Sequence, residues 1–372
     1  MSTKGMELLG IRYPIIQGGM QHFGTPELAA AVSNAGGLGT INVTIYPTPG
    51  AFRKAVRETK ARTDRPFCVN ISLLPDVTAG EQTMDYIKIC GQEGVRAIET
   101  AGRRPDTLVS AIHDAGCLHI HKVPTVRQAL SAQRAGVDAV TIVGAECGGH
   151  PGQDLVGTIV LAAKASQEMA IPFFIGGGIA DGRGMAALLS LGADAIVMGT
   201  RFVVTKECIA HKNFKQWILD HNEKDTILIQ RSIHNMMRAA NNRAAQACLA
   251  LEERGANLEE LLRVISGDQA RKAQKEGDPE AGILVAGQAM GLIHETPTVE
   301  ELFQSIITDA AAASRRGGGV AGARTERAHG VPRPSGDGDG AGRRRRLRSG
   351  GSRGRVHYGG RLRRPAGRSR PA

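Results

Sequence analysis

Aromatic residues are scarce in this chain of 372 residues, where phenylalanine, tryptophan and tyrosine together make up 3%. Proteins that bind single-stranded nucleic acid stack bases on aromatic rings, so the body of the chain offers few such surfaces. Cysteine is sparse too: the six residues include no Cys-x-x-Cys pair, which argues against a structural metal and favours a reducing compartment. The longest nearly apolar run, 281–293, is too short to cross a bilayer. We therefore expect a cytoplasmic protein that has no membrane segment and no metal.

Positive charge is distributed unevenly along the chain. The formal net charge is +11, yet residues 315–372 alone contain 17 arginines, no lysine and three acidic residues. That segment carries +14, which leaves −3 for residues 1–314. Arginine, glycine, proline and alanine dominate it, so we expect a disordered tail without a core. Two explanations stay open: an arm that binds nucleic acid electrostatically, or translation of GC-rich DNA in a shifted reading frame.

The body alternates short β-type runs with segments of helical spacing. This alternation predicts an α/β protein with a parallel sheet, and eight such units in roughly 200 residues predict a closed (β/α)8 TIM barrel. An open doubly wound sheet is the alternative. The predicted strands are Pro14–Gly18, Gly37–Asn42, Phe67–Leu73, Ala97–Ala101, Leu118–Val123, Ala139–Gly144, Phe173–Gly177 and Ala195–Gly199.

The alternation of short strands and helices stops after the eighth strand. This change predicts four regions in the chain. Residues 1–205 form the barrel, and residues 206–282 form a helical cap with no convincing strand. Residues 283–314 return to the barrel and end in a helix, Val299–Ala313. The disordered tail, 315–372, completes the chain.

Glycines mark the ends of the last two barrel strands, where this fold usually binds phosphate. Gly176, Gly177 and Gly178 end the seventh strand, Gly199 ends the eighth, and Gly182 opens a helix. Glycine lets backbone N–H groups approach an anion closely, so these positions predict a phosphate site. A single glycine would be explained equally well by a tight turn.

Two side chains near the predicted mouth suggest chemistry. Lys122 ends an otherwise apolar strand, where its charge could stabilise a reduced flavin, or it is a surface lysine. His150 lies in a glycine-rich loop, where it could hydrogen-bond to a substrate or exchange protons, or it is a structural histidine. Cys147 lacks a third orienting group, which disfavours a Cys–His nucleophile. His22 and His121 are weaker candidates near the same mouth.

Seven motifs occur in order: Gln17-Gly18-Gly19-Met20-Gln21, Asn70-Ile71-Ser72-Leu73-Leu74-Pro75, Glu99-Thr100-Ala101-Gly102, His121-Lys122, Glu146-Cys147-Gly148-Gly149-His150-Pro151-Gly152, Gly177-Gly178-Ile179-Ala180-Asp181-Gly182-Arg183-Gly184 and Met198-Gly199-Thr200-Arg201-Phe202. Together they resemble the FMN-dependent nitronate monooxygenases, formerly called 2-nitropropane dioxygenases. The resemblance covers nearly all of residues 1–314. It implies a TIM barrel with FMN at its mouth, in which an alkyl nitronate and O2 become a carbonyl compound and nitrite.

The resemblance also implies roles for particular residues. His150 would be catalytic and hold the anionic nitronate, and Lys122 would act beside the flavin. The residues expected to bind the cofactor are Gly19, Met20, Gln21, Ser72, Lys122, Gly148, Gly149, Gly176, Gly177, Gly178, Gly199 and Thr200.

Other interpretations of the sequence remain open. The sequence is also similar to NAD(P)H:quinone reductases of the same fold, in which hydride passes from nicotinamide through FMN to a quinone. It departs from them at Val123, where cysteine is usual, and at Val143, where an acidic residue is frequent. An FMN-type enoyl-acyl-carrier-protein reductase is a third relative, and nucleic-acid binding through the tail belongs to another class. A homo-oligomer is compatible with all of these.

Overall fold

Eight parallel strands form a barrel in this computed structural model, which describes residues 2–73 and 79–328. Neighbouring strands follow the order β1-β8-β7-β6-β5-β4-β3-β2, and a parallel bridge between Ile16 and Leu38 joins β1 to the chain entering β2. The predicted TIM barrel is confirmed. The strands are β1 Ile15–Gln17, β2 Gly39–Asn42, β3 Phe67–Leu73, β4 Ala97–Gly102, β5 Leu118–Val123, β6 Ala139–Val143, β7 Phe173–Gly176 and β8 Ala195–Met198.

Helices cover the outside of the barrel and begin at capping residues that the sequence provides. Thr48, Thr125 and Asp181 each accept a hydrogen bond from the third residue that follows, which satisfies an N–H group of the first turn. Helix α1 Lys4–Leu9 packs instead against the interior of the barrel, where Gly5 adjoins Phe174. The helices that follow are α2 Pro26–Asn34, α3 Pro49–Arg62, α4 Ala79–Glu93, α5 Val109–Asp114, α6 Val126–Ala135, α7 Thr158–Glu168, α8 Gly182–Ser190 and α9 Thr200–Val203.

The barrel interior is filled by residues of alternating size. Phe174 is fully buried, and small side chains at Ala97, Ala139 and Ala195 leave room for it. Because strand residues alternate between two faces, their neighbours along each strand point outward and pack against the helices. The apolar filling occupies one end of the barrel and leaves the C-terminal strand ends to polar side chains.

The cap contains a β-hairpin, so the prediction of a cap without strands was wrong. Strands β9 Thr226–Ile229 and β10 Met237–Ala240 pair antiparallel. The connection between them has no Asn-Gly or Asp-Gly signal; it turns instead through Gln230 and His234, which both have positive φ. Strong helical patterns on either side hid these short strands. The cap helices are α10 Lys212–Asp220, α11 Arg243–Glu253, α12 Leu258–Ile265 and α13 Gly267–Glu276.

The last helix, α14 Val299–Ala328, runs past the predicted end at Ala313. The extension includes Gly317, Gly318 and Gly319, which disfavour helix, so local propensity in the sequence gave no indication of it. Barrel and cap belong to one compact unit, residues 1–322, and a second unit comprises 323–372. The expected disorder of the tail falls mostly on 329–372, outside the described residues. None of the helices described in 2–73 and 79–328 is long and apolar enough to cross a membrane.

Candidate active site at the barrel mouth

A buried carboxylate, Glu99, organises the floor of the barrel mouth. It is 4% exposed, and its Oε2 accepts hydrogen bonds from Lys122 Nζ at 2.8 Å and from Asn70 Nδ2 at 2.7 Å. Its Oε1 accepts one from Thr141 Oγ1 at 3.1 Å. Three donors match what an ionised carboxylate requires. The cation predicted at Lys122 therefore lies at the mouth, but a counter-charge accompanies it.

The network continues across two further strands. Asn70 Oδ1 accepts from Asn42 Nδ2 at 2.9 Å, and Asn42 Oδ1 accepts from Thr44 N at 2.9 Å. Each amide therefore has one orientation that satisfies both of its neighbours. The sequence analysis gave no role to Asn42, Asn70 or Glu99, although polar residues inside apolar strands were a visible signal.

His121 does not face this network. It alternates with Lys122 along β5, and its Nδ1 lies 2.8 Å from Thr100 Oγ1, which also lies 2.8 Å from His119 Nε2. Both histidines are buried between the strands and the helices, and burial lowers the pKa of each to about 4. His121 is therefore neutral and forms part of the wall behind the mouth.

The loop after β6 is held by its own residues. Glu146 accepts hydrogen bonds from Thr158 N and Thr158 Oγ1 at the start of α7. This anchoring places Cys147 and the following glycines over the strand ends. Burial raises the pKa of the Cys147 thiol to about 12, which agrees with the expectation that Cys147 is not a nucleophile.

His150 ends the glycine segment of this loop and is exposed. Neighbouring protein atoms lower its pKa by desolvation, whereas a side-chain hydrogen bond with Asn235 of the cap opposes that effect. Asn235 Nδ2 donates one hydrogen to Gln230 Oε1 at 2.7 Å, which leaves its second N–H and its Oδ1 for the imidazole. A neutral His150 that donates to Asn235 keeps a lone pair on its second ring nitrogen, which can accept a proton.

The cap contributes a residue that sequence analysis missed. Arg238 is 8% exposed and pairs through its backbone with Gly149, the residue before His150. Its Nε donates to Ala145 O at 3.0 Å, and its Nη1 donates to Thr226 Oγ1 at 2.9 Å. Because the segment was predicted as helical, no pattern in the sequence placed this arginine at the mouth.

The glycines after β7 adjoin the loop after β6, and Gly199, which follows β8, lies near Met20. Gly177 and Gly178 have φ of 116° and 71°, a region that side chains disfavour. A Cβ on Gly199 would meet only Met20 Sδ, at 4.0 Å, so this glycine borders open space. Gly182 has a different purpose, because a Cβ there would lie 2.0 Å from Ile306 O of α14. It permits close helix packing, and a role of its backbone N–H in the predicted phosphate site stays a prediction.

The remaining predicted residues lie around the same mouth. A Cβ on Gly19 would clash with Asn70, and Gln21 O accepts from Thr44 Oγ1 at 3.2 Å. Ser72 lies near the end of β3, and Thr200 Oγ1 accepts from Gly287 N at 2.9 Å. Gly148 packs against backbone atoms of Ala286 and Gly287. Gly176 O accepts from Gly144 N at 2.8 Å. Their contact with a cofactor stays a prediction.

These residues fit FMN. The open space beside Gly199 forms a glycine cradle that a side chain would fill, as a phosphate site requires. Cβ atoms on Gly177 and Gly178 would instead meet Thr158 and Glu146, so these two glycines could reach an anion only through backbone N–H groups. Lys122 Nζ supplies a donor at the floor, and Gly148 and Gly149 carry no side chain that would obstruct a planar ring. Among residues 2–73 and 79–328, no cluster of histidine, cysteine or acidic side chains suits a metal ion.

Comparisons with known proteins agree with this geometry. The sequence model of the nitronate monooxygenase family matches residues 2–309. A nitronate monooxygenase of Paraburkholderia phytofirmans is 29% identical over 80% of this chain and 93% of its own. The (3aS,4S,5R,7aS)-5-hydroxy-7a-methyl-1-oxo-octahydro-1H-indene-4-carboxyl-CoA dehydrogenase of Rhodococcus jostii is 28% identical over 83% and 96%. The structure of FabK from Thermotoga maritima is 36% identical, covers 86% of this chain and 99% of its own, and superposes with a TM-score of 0.80.

The family match spans most of the chain and includes every residue of the mouth described above. The FabK structure adds an identity above 30% over nearly its whole length. The chain therefore belongs to the nitronate monooxygenase family of oxidoreductases.

Proposed function

We propose that this protein is an FMN-dependent oxidoreductase that oxidises alkyl nitronates with O2. The observation that carries the proposal is that Gly199 beside open space, the Lys122–Glu99 pair and the exposed His150 all lie at or just after the C-terminal ends of barrel strands. Bound FMN would supply electron transfer between the substrate and oxygen. Two nitronates and one O2 balance two carbonyl compounds and two nitrites.

The residues of the chain have separate tasks in this reaction. The backbone N–H groups at Gly177, Gly178 and Gly199 would hold the phosphate of FMN, which would fix the cofactor in the mouth. Glu99 holds Lys122 Nζ in one position, so that its ammonium group donates toward the bound ring with little reorganisation. His150 accepts hydrogen bonds or a proton at its free ring nitrogen, and Asn235 orients the ring.

A second candidate function is hydride transfer between NAD(P)H and an acyl thioester. The comparisons favour it, because this chain aligns with at least 96% of the length of both the CoA dehydrogenase and FabK. In the reducing direction NAD(P)H and one proton would be consumed for each double bond saturated. A quinone acceptor would have the same stoichiometry.

Anaerobic stopped-flow spectroscopy of the purified flavoprotein separates these functions. Propionate 3-nitronate, NADH and NADPH are mixed singly with the enzyme, and loss of the oxidised flavin colour is followed. Nitronate oxidation predicts bleaching by the nitronate and indifference to both nicotinamides. Rapid bleaching by NADH or NADPH alone would overturn the first proposal, and recovery of colour with a quinone or an enoyl thioester would identify the acceptor.

A further inference from the structure

We propose that Arg238 forms an anion site in the cap side of the mouth, where its guanidinium binds the negatively charged oxygen of the substrate. The inference deepens the proposed function, because it requires the mouth to be the substrate site. The ligand class is a small oxyanion: a nitronate, a carboxylate or the enolate of a thioester.

The fold directs Arg238 toward the barrel. Met237 and Ala239 belong to the apolar cluster inside the cap, so the alternation of β10 places Arg238 and Ala240 on the other face. Ala240 packs in the large cluster that includes the barrel helices and residues 284–293. The Arg238 side chain therefore leaves the hairpin on its barrel-facing side, beside the loop after β6.

The Arg238 guanidinium is held in place by hydrogen bonds from two of its three nitrogens. Nε and Nη1 donate to Ala145 O and Thr226 Oγ1, which are both uncharged. Within the described part of the chain Nη2 has no hydrogen-bond partner, although it keeps accessible surface. No described carboxylate forms a salt bridge with this side chain. The nearby Glu146 instead accepts a hydrogen bond from Thr158 Oγ1.

A buried charge without a counter-ion is costly unless a ligand supplies one. Burial lowers the pKa of Arg238, and the charges of Cys147 and Glu146 oppose this only in part. Lys122 cannot fill the same role, because Glu99 already neutralises it. Among the described residues, Arg238 is thus a cation beside the loop after β6 that no carboxylate neutralises, and it is available to an anionic substrate.

The residues around Arg238 suit the binding of an oxyanion. Asn235, three residues before Arg238, orients His150, and Arg238 pairs with Gly149 beside it. Arg238 and Lys122 oppose the rise in the pKa of Cys147 that burial causes, which places this thiol within the field of both cations. An anion bound at Nη2 would lie beside the loop after β6, whose Ala145 O already accepts a hydrogen bond from Nε.

Binding of propionate to the FMN-loaded enzyme, measured by calorimetry without any turnover, tests this site. Arg238→Gln should weaken propionate binding about 10- to 100-fold, as expected for loss of a charge-assisted hydrogen bond. The neutral analogue propionamide should bind the variant and the original protein equally. Arg263→Gln, which removes an exposed arginine from α12, is the matched control and should change neither affinity.

Thr226→Val separates anion binding from a purely structural role of Arg238. It removes the bond to Nη1 and keeps the charge, so propionate affinity should stay within about threefold. Equal losses in Thr226→Val and Arg238→Gln, or unaltered binding in Arg238→Gln, would overturn the proposal, as would absence of propionate binding to the original protein. Because no oxidation is measured, the site can stand even where nitronate fails to bleach the flavin.

Discussion

Lys122 Nζ donates to Glu99 Oε2 at 2.8 Å inside the barrel mouth, and the two side chains are only 20% and 5% exposed. The pair is neutral overall, so it positions a donor without adding net positive charge. Its partners Asn70 and Thr141 belong to neighbouring strands, which makes the pair the centre of a network across β3, β4, β5 and β6.

Breaking this pair from one side should destabilise the protein. Lys122→Met leaves a buried carboxylate without its cation, and we expect the free energy of unfolding to fall by about 3–5 kcal/mol. The double variant Glu99→Gln with Lys122→Met should recover most of that loss, since neither charge remains. Urea denaturation of the original protein, Lys122→Met, Glu99→Gln and the double variant gives the coupling directly. Lys164→Met, at an exposed helical pair, is the control and should cost less than about 1 kcal/mol; a double variant no more stable than Lys122→Met would contradict the account.

Thr100 links two buried histidines through a single hydroxyl. Thr100→Val removes the partner of both ring nitrogens, so unfolding should become easier by about 2–3 kcal/mol. Thr100→Ser keeps the hydroxyl and should lose less than half of that amount. Thermal or chemical denaturation measures the difference, and equal losses in the two variants would show that packing, not hydrogen bonding, decides.

The same histidines should make stability depend on pH. Their folded-state pKa of about 4 lies below the ordinary 6.5, so the unfolded state binds more protons between those values. Stability is therefore complete above pH 6.5 and falls as the pH drops toward 4, by about 1.4 kcal/mol per pH unit for each histidine. His121→Gln should reduce the slope, whereas His294→Gln, at an exposed site, should leave it unchanged. An original protein with a flat profile from pH 6.5 to 4 would refute the assignment.

His150 should matter for turnover and little for folding. Because it is exposed, His150→Asn should change the free energy of unfolding by less than about 0.5 kcal/mol. It should keep bound FMN and lower kcat about 100-fold or more, since a positioned proton acceptor is lost. Steady-state kinetics with the identified substrate and a denaturation curve check both parts. Unchanged kcat would make this histidine structural.

The glycine cradle makes a prediction that needs no substrate. Gly199→Ala adds a methyl group where only Met20 Sδ lies within 4.0 Å, so the apoprotein should keep its Tm. The same methyl group would occupy the space assigned to the phosphate, and FMN affinity should fall at least about tenfold. Gly50→Ala, in an equally open position on α3, is the control. Equal FMN affinity in both variants would place the phosphate elsewhere.

The barrel was predictable from the sequence because its signals are local. Each strand is a short apolar run between turn residues, and β3 and β5 begin and end where the pattern placed them. The hairpin of the cap was missed because its turn uses Gln230 and His234 in place of glycine. Arg238 was missed with this hairpin, because its position depends on pairing with Gly149, 89 residues earlier in the chain.

Some site residues could be found from the sequence and others could not. Lys122 and His150 were found because each interrupts a pattern, a charge in an apolar strand or an imidazole among glycines. The counter-charge on Lys122 could not be found, since Glu99 comes from another strand and the register that joins them is a tertiary property. His121 was misplaced for the opposite reason: alternation along β5 turns it to the outer face once Lys122 faces inward.

Titration of the apoprotein with FMN, followed by anaerobic addition of propionate 3-nitronate, tests the flavin site and the reaction in one experiment. We expect one FMN bound per chain and loss of its colour when the nitronate is added. A chain that folds but binds no FMN would contradict the assignment of the barrel mouth as a flavin site, and bound FMN that the nitronate leaves coloured would contradict the proposed reaction.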